Sequence, residues 1–333
     1  MNKISVIVPC YNEESSLLLF HQATSAVLSE LNSSYEILYI NDGSKDQTLS
    51  LIKKLSASDP HVSFISFSRN FGKEAAMYAG LENKTGNLTV IMDADLQHPP
   101  VLLKQMYQKI TTENYNCVGA KRTTRDAHSR IRNGLSKCFY KLIDQITPIP
   151  MGDGVGDFRM MDQSFTDALL SMKEVNRYTK GMMNFVGFNC AVIPYENIER
   201  VAGDSKWNLR SLFSYAVEGI VSFSTLPLIL PFFIGIALSG IALLMLATLC
   251  IGTLLHFHFS YFFFATSMGS LLFGLLFIGL GVLGEYMAKM YQEIKTRPVY
   301  IVQESYFHQN KSHVSSKRQG LQLNLVRNEK KVN

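Results

Sequence analysis

An α/β sheet domain followed by membrane segments is the fold class this chain predicts, on three observations. Between residues 4 and 92, β-branched runs alternate with stretches of helical apolar spacing. The last of these runs, Val90-Ile91-Met92, leads into Asp93-Ala94-Asp95-Leu96-Gln97-His98-Pro99-Pro100. Farther on, Leu226 to Leu255 and Tyr261 to Leu283 are apolar without one charged residue. Alternating β and α implies a mainly parallel sheet covered by helices on both faces. Each apolar stretch meets the roughly 20 residues needed to cross a bilayer.

Ile4-Ser5-Val6-Ile7-Val8-Pro9 is a β-branched run stopped by proline, and Glu14 to Leu31 carries Leu17, Leu18, Val27, Leu28 and Leu31 at helical spacing. Strand then helix is the prediction. Tyr35 to Ile40 repeats the strand pattern before the turn Asn41-Asp42-Gly43-Ser44, and Asp46-Gln47-Thr48 opens a helix to about Ser56. Val62 to Ser66 and Leu88 to Met92 predict two more strands, with a helix from Lys73 to Leu81 between them. Ligands of such sheets bind at the carboxyl ends of the strands, where Asn12, Asp42, Arg69, Asp93 and Asp95 all fall. After Val118 the pattern turns to a basic helical stretch, Lys121-Arg122 through Lys141, then to a glycine-rich loop from Gly152 to Asp157 and a short strand at Ala191-Val192-Ile193. Glu199 to Trp207 predicts a mobile loop entering an amphipathic helix, Leu209 to Val221, suited to the membrane interface.

With 333 residues the chain can build a substantial core. Neither apolar stretch has a polar face, so two buried helices of a soluble domain fit poorly. The chain opens Met1-Asn2-Lys3-Ile4 directly into strand patterning, so the amino-terminal domain is expected in the cytoplasm. His256 to Ser260 lacks Lys and Arg, whereas Lys289, Lys295, Arg297, Lys311, Lys317 and Arg318 follow the second stretch. Both termini are therefore expected inside a multi-pass plasma-membrane protein. The boundaries that follow are a cytosolic α/β domain over 1–206, an amphipathic juxtamembrane helix over 207–224, transmembrane helices over 225–255 and 261–284, a juxtamembrane segment over 285–304, and a polar tail over 305–333 expected to be disordered. The net charge of +5 suits contact with anionic membrane lipids. No nucleic-acid partner is expected, because base-reading helices and aromatic platforms are missing. The scattered cysteines are expected as reduced thiols.

On an extended backbone alternate side chains point the same way, so Asp93, Asp95 and Gln97 can offer oxygens to one hard divalent cation held against a diphosphate. The same short pattern also describes a solvated strand end with a turn at Pro99-Pro100. His98 beside it is expected to be structural, since imidazole adds little to an oxygen-bound hard cation.

Taken together, these motifs resemble the polyprenyl-phosphate glycosyltransferases, relatives of dolichyl-phosphate mannose synthase among the inverting family 2 enzymes of GT-A fold. The pieces that match are Val8 to Glu14, Asn41-Asp42-Gly43-Ser44, Ser68-Arg69-Asn70-Phe71-Gly72-Lys73-Glu74, Asp93 to Pro100, Gly156-Asp157-Phe158-Arg159 and Gly203-Asp204-Ser205-Lys206-Trp207. Gly284-Glu285-Tyr286 and Arg297-Pro298-Val299-Tyr300 look like the bacterial branch with two carboxy-terminal helices. The resemblance implies a GT-A (Rossmann-like) nucleotide-sugar domain in which Pro9, Tyr11, Glu13 and Asp42 cradle base and ribose, with Lys73 and Asp93 in the same donor site. It implies Mg²⁺ or Mn²⁺ on Asp93, Asp95 and Gln97. Asn41 departs from relatives that have a second aspartate there.

Breaking a sugar–phosphate bond puts negative charge on the leaving diphosphate, which a divalent metal neutralises. A lipid-phosphate acceptor is already ionised, so cationic positioning of two anions is needed and a general base is not. By resemblance Arg122, Arg132 and Ser136 bind the acceptor phosphate, and guanidinium forks match phosphate oxygens. A solvated basic helix face is the plain alternative. Arg200, Ser205 and Lys206 resemble the loop that closes over both phosphates, or else contact lipid headgroups. Asp157 either hydrogen-bonds sugar hydroxyls or caps the next element. Asp95, Arg122, Arg132 and Asp157 are the residues expected to carry the reaction.

The expected activity is inverting transfer of one sugar, glucose favoured, from a UDP-sugar to undecaprenyl phosphate at the cytoplasmic membrane face. UDP-N-acetylglucosamine and GDP-mannose are alternative donors, and the resemblance implies a homotetramer. A processive synthase would carry a Gln-x-x-Arg-Trp element that this sequence lacks. A non-catalytic membrane scaffold is the rival of another class, and it has no need of a metal motif aligned with phosphate-binding cations.

Overall fold

The structure is a computed structural model that describes residues 2–123, 155–196, 261–295 and 297–308. Its strands are β1 (Lys3–Cys10), β2 (Ser34–Asn41), β3 (Val62–Phe67), β4 (Leu88–Ile91), β5 (Cys117–Arg122), β6 (Val155–Met161), β7 (Cys190–Tyr195) and β8 (Val302–Tyr306). The helices are α1 (Leu17–Ser29), α2 (Thr48–Ser58), α3 (Lys73–Asn83), α4 (Leu102–Glu113), α5 (Gln163–Ser171), α6 (Thr179–Phe185) and α7 (Tyr261–Ile294).

The eight strands form one sheet in the order β7-β5-β6-β4-β1-β2-β3-β8. Its central strands β4, β1, β2 and β3 run parallel, β6 is antiparallel to both β4 and β5, and β8 is antiparallel to β3. The sheet is thus mixed, with four parallel pairings and three antiparallel ones. β1 reads as an apolar run broken only by Ser5, from Ile4 to Val8, because both its faces are covered. Ile4, Val6 and Val8 pack with α1, α2 and α4 through Leu17, Phe20, Ile52, Leu103 and Met106. Ile7 points the other way, into Ala75, Ala76 and Ala79 of α3 and Phe165 and Leu169 of α5. A Cβ on Gly80 would lie 2.2 Å from Cγ2 of Ile7, so glycine lets α3 approach the sheet this closely.

Several sequence expectations need correction. Lys121 and Arg122 end strand β5 instead of opening a helix, and Asp157 lies in β6 instead of a glycine-rich loop. β8 extends past residue 304, so residues 305 and 306, expected in a disordered tail, complete the sheet. Val299, Tyr300 and Phe307 pack against the same core as α3 and α5, and Tyr300 stacks on Phe67 at 4.9 Å. Glu293, near the end of α7, accepts hydrogen bonds from the backbone N–H groups of Val175 at 3.0 Å and Asn176 at 2.9 Å. α7 is 34 residues long. Among the described residues no helix is long and apolar enough to cross a membrane, and the side chains of several apolar residues of α7 are not among those described. The expected span over 225–255 and the interface helix over 207–224 lie outside the described residues.

Glu36 ties β1, β2 and the turn before β4 together. Its buried carboxylate accepts from Ser5 Oγ at 2.5 Å, from Thr85 N at 2.7 Å and from Thr85 Oγ1 at 2.6 Å, with Lys3 Nζ at 3.3 Å. Burial alone would raise its pKa, but the bonds from Ser5 and Thr85 and the charge of Lys3 outweigh burial and hold it lower. A depressed folded pKa contributes stability that is complete above the ordinary glutamate value of ~4.3 and is lost as pH falls through the folded value. Glu36→Gln is expected to cost about 1–3 kcal/mol at neutral pH and to flatten the acid limb of the stability profile. Thermal midpoints of both proteins against pH check this.

Candidate active site

Four loops leave the carboxyl ends of β1, β2, β3 and β4 and build the site. A cavity of about 490 Å³ opens at the first three, with Tyr11, Asn41, Ser44, Lys45, Ser66 and Arg69 in its wall. The loop after β1 is fixed by Asn12, a left-handed residue (φ 54°) whose Oδ1 accepts from Lys45 N at 2.8 Å. Glu13 is held by its backbone, whose N–H donates to Thr48 Oγ1 at 2.8 Å, and its carboxylate accepts from Ser16 Oγ at 3.0 Å. Gly43 turns the loop after β2 with φ of 64°, and a Cβ there would lie 2.4 Å from the backbone carbon of Arg69. Pro9 sits in β1 opposite Ile40.

Asp42 is 3% exposed, and its two oxygens accept from the backbone N–H groups of Phe71 at 2.6 Å and Gly72 at 3.0 Å. Burial pushes its pKa up against the pull of these bonds and of Arg69. In this arrangement Asp42 shapes the loop that launches α3, a positioning role that the sequence did not suggest. The Arg69 guanidinium lies over the Phe71 ring at 4.0 Å.

At the first residue of α3, Lys73 reaches the loop after β4 and strand β6 together. Its ammonium lies 2.7 Å from Asp93 Oδ1 and 2.8 Å from Asp157 Oδ2. Burial alone would lower the lysine pKa, yet the two carboxylates raise it well above its usual value. Burial likewise opposes the charge on Asp157, and Lys73, with Lys180 behind it, holds that carboxyl well below the usual range. Asp93 is depressed in the same way, burial being overcome by Lys73 and His98. All three groups are therefore ionised at neutral pH. The neighbouring Glu74 anchors α6 by accepting from Thr179 N at 3.0 Å and from the Thr179 hydroxyl.

β4 ends at Ile91, so Asp93, Asp95 and Gln97 lie in a turn and strand alternation does not align them. The turn is closed by the backbone N–H of Gln97 donating to Asp95 Oδ1 at 3.1 Å and by Leu96 in a left-handed conformation (φ 58°). His98 is structural: 6% exposed, it accepts from Asp93 N on Nδ1 at 3.1 Å and stacks on Phe158 at 4.9 Å. Burial lowers its pKa, against the pull of the Asp93 charge. Arg122, at the end of β5, donates to Gln97 Oε1 at 3.0 Å and to the Tyr195 hydroxyl at 2.9 Å.

Among the described residues no group of three or more His, Cys, Asp or Glu side chains is placed to hold a metal ion. The turn nevertheless offers two carboxylates and an amide oxygen. That donor set fits Mg²⁺ or Mn²⁺, which commonly take one or two carboxylates and complete their coordination with phosphates and water. The structure brings together Lys73, Asp93 and Asp157, and separately Gln97 and Arg122. Arg132, Ser136, Arg200, Ser205 and Lys206 lie outside the described residues.

A family model described as "Glycosyl transferase family 2" matches residues 5–170. The "Bactoprenol glucosyl transferase" of Shigella phage SfII is 39% identical over 305 residues, 91% of this chain and 98% of that protein. This chain is a family 2 glycosyltransferase. The "Prophage bactoprenol glucosyl transferase homolog" of Escherichia coli (strain K12) is similar to this glycosyltransferase to the same degree, 39% over 302 residues, 90% of this chain and 98% of its own. Among solved structures, a glucosyl-3-phosphoglycerate synthase from Mycobacterium tuberculosis in complex with Mn²⁺, UDP-glucose and phosphoglyceric acid matches 66% of the glycosyltransferase and 78% of its own chain, at TM-score 0.46 and 17% identity. The mixed eight-stranded α/β sheet is a GT-A fold.

Proposed function

We propose that the glycosyltransferase moves one sugar, glucose favoured, from a UDP-sugar to undecaprenyl phosphate at the cytoplasmic face of the plasma membrane, with inversion. The observation that carries this reading is the Lys73, Asp93 and Asp157 ion-pair cluster together with a cavity of about 490 Å³, both at the carboxyl ends of the central strands. The bactoprenol acceptor named for relatives at 39% identity supports the lipid half of the reaction. Charge-free sequence over 226–255 and 261–283 supports anchoring by two membrane helices.

In this reading Tyr11 and the cavity wall bind the nucleoside, and the carboxylates of Asp93 and Asp95 with the Gln97 amide hold Mg²⁺ or Mn²⁺. When bound, the metal would neutralise charge on the leaving diphosphate. Lys73 adds a cation next to that charge. Asp157, held in place by Lys73, accepts hydrogen bonds from sugar hydroxyls. Arg122, oriented by Gln97 and Tyr195, aims its fork at the acceptor phosphate. An oxygen of that phosphate attacks the anomeric carbon as the bond to the diphosphate breaks, so an α-linked donor gives a β-linked product. The acceptor is already ionised and no proton needs to be removed.

The test is transfer of radiolabel from UDP- and GDP-sugars into organic-extractable lipid by purified full-length protein with undecaprenyl phosphate, with and without chelator. Chelator-sensitive label from one donor is the expected result. No label from any donor, with folded protein and verified lipid, would sink the proposal. Arg122→Ala is expected to raise KM for undecaprenyl phosphate about tenfold or more, in line with the 1.5–3 kcal/mol of a charged hydrogen bond, while KM for the donor changes little. A larger shift in the donor constant would remove Arg122 from the acceptor side.

A further inference from the structure

β8 pairs Ile65 with Ser305 and Ser66 with Glu304, then shifts register so that Phe67 pairs with Val302. Gln303 is thus the extra residue of a β-bulge. Such bulges bend a strand and re-aim a side chain, often beside active sites. This one falls where β3 enters the cavity: Ser66, Phe67 and Ser68 line it, and so does the exposed Gln303. Among the described residues, the other lining residues come from between Tyr11 and Asn70, and Gln303 alone arrives from beyond α7.

We propose that Gln303 is a donor-binding residue that hydrogen-bonds the nucleoside portion of a nucleoside diphosphate sugar, so that the strand after the long apolar helix completes the donor site. The inference rests on the nucleotide-sugar reading above. A carboxamide carries a donor and an acceptor side by side, and a nucleobase edge presents the same pairing in reverse, which is how Gln reads bases elsewhere. The diphosphate belongs to a different place. Asp93 follows β4, three strand positions from β3, or about 14 Å at ~4.8 Å per strand. Gln303 therefore meets the end of the donor that does not react.

Full-length protein is titrated with UDP, GDP and inorganic pyrophosphate by calorimetry, as wild type, Gln303→Ala and Gln303→Glu. UDP is expected to bind wild type and to weaken about three- to tenfold in Gln303→Ala, the worth of one neutral hydrogen bond, while pyrophosphate stays within about twofold. Gln303→Glu keeps the side-chain length and loses the donor, and is expected to weaken UDP at least as much. Unchanged UDP affinity in a folded Gln303→Ala protein overturns the inference and leaves the transferase reading standing. An equal loss for UDP and pyrophosphate overturns it too. So does a loss confined to Gln303→Ala with a lowered thermal midpoint, which would mean the strand had come away. Wild type binding neither UDP nor GDP would overturn the donor reading itself.

Discussion

Asp95→Asn is expected to cut turnover by about 10²–10³-fold while leaving the protein folded and its thermal midpoint within a few degrees of wild type. The size follows from the several kilocalories that a Lewis acid contributes at a developing charge, at about 1.4 kcal/mol for each tenfold in rate. Asn keeps the oxygen that accepts from the Gln97 N–H, so the turn survives and the loss falls on charge. Label transferred into lipid, compared with the midpoint of the same preparation, separates the two effects. Near-normal transfer by Asp95→Asn would remove this residue from the metal set.

Lys73→Met is expected to remove activity and stability together. Without the ammonium, Asp93 and Asp157 face each other as uncompensated charges, since both now lean on one cation at 2.7 and 2.8 Å. Truncating one member of a fully buried pair costs about 3–5 kcal/mol. Lys73 is 39% exposed, so solvent screening reduces this to about 1–2 kcal/mol, or roughly 3–6 °C in midpoint for a domain of this size. Turnover should fall at least about 10²-fold through the misplaced carboxylates. Adding Asp157→Asn to Lys73→Met should restore most of the midpoint and none of the turnover. Recovery of both would mean that Lys73 serves only the fold.

The central strands were legible in the sequence because burial on both faces leaves runs rich in large apolar and β-branched residues, as Ile4, Val6, Ile7 and Val8 in β1 and Val62, Phe64, Ile65 and Phe67 in β3. Of the outer strands, β7 was legible at Ala191-Val192-Ile193, and β5, β6 and β8 were not. β5 ends in the exposed Lys121 and Arg122, and β6 carries Gly156, Asp157 and Arg159, so neither has the apolar signal of a buried strand. α4 was hidden behind Pro99-Pro100, read as a turn, although the carbonyls of these two prolines accept from Leu102 N and Leu103 N at 3.1 and 3.0 Å and start the helix. At the site, the geometry was not legible. Asp93 and Asp95 were picked out by a strand-alternation argument that fails once β4 stops at Ile91. The joining of Lys73 to Asp157 spans 84 positions, and no local pattern encodes it. Gln303 had no signal at all, because a bulge depends on the partner strand.

The edge strand β8 also sets a clock on biosynthesis. Until residue 306 leaves the ribosome, β3 has an unpaired edge, the kind of surface that invites wrong partners. At about 5–20 residues per second, the stretch from β3 to β8 keeps that edge open for roughly 10–50 s. A chain cut before α7 never closes it. Expression of the amino-terminal segment alone should therefore give aggregates rather than a soluble enzyme, and chaperone cover in the cell would matter most during that interval.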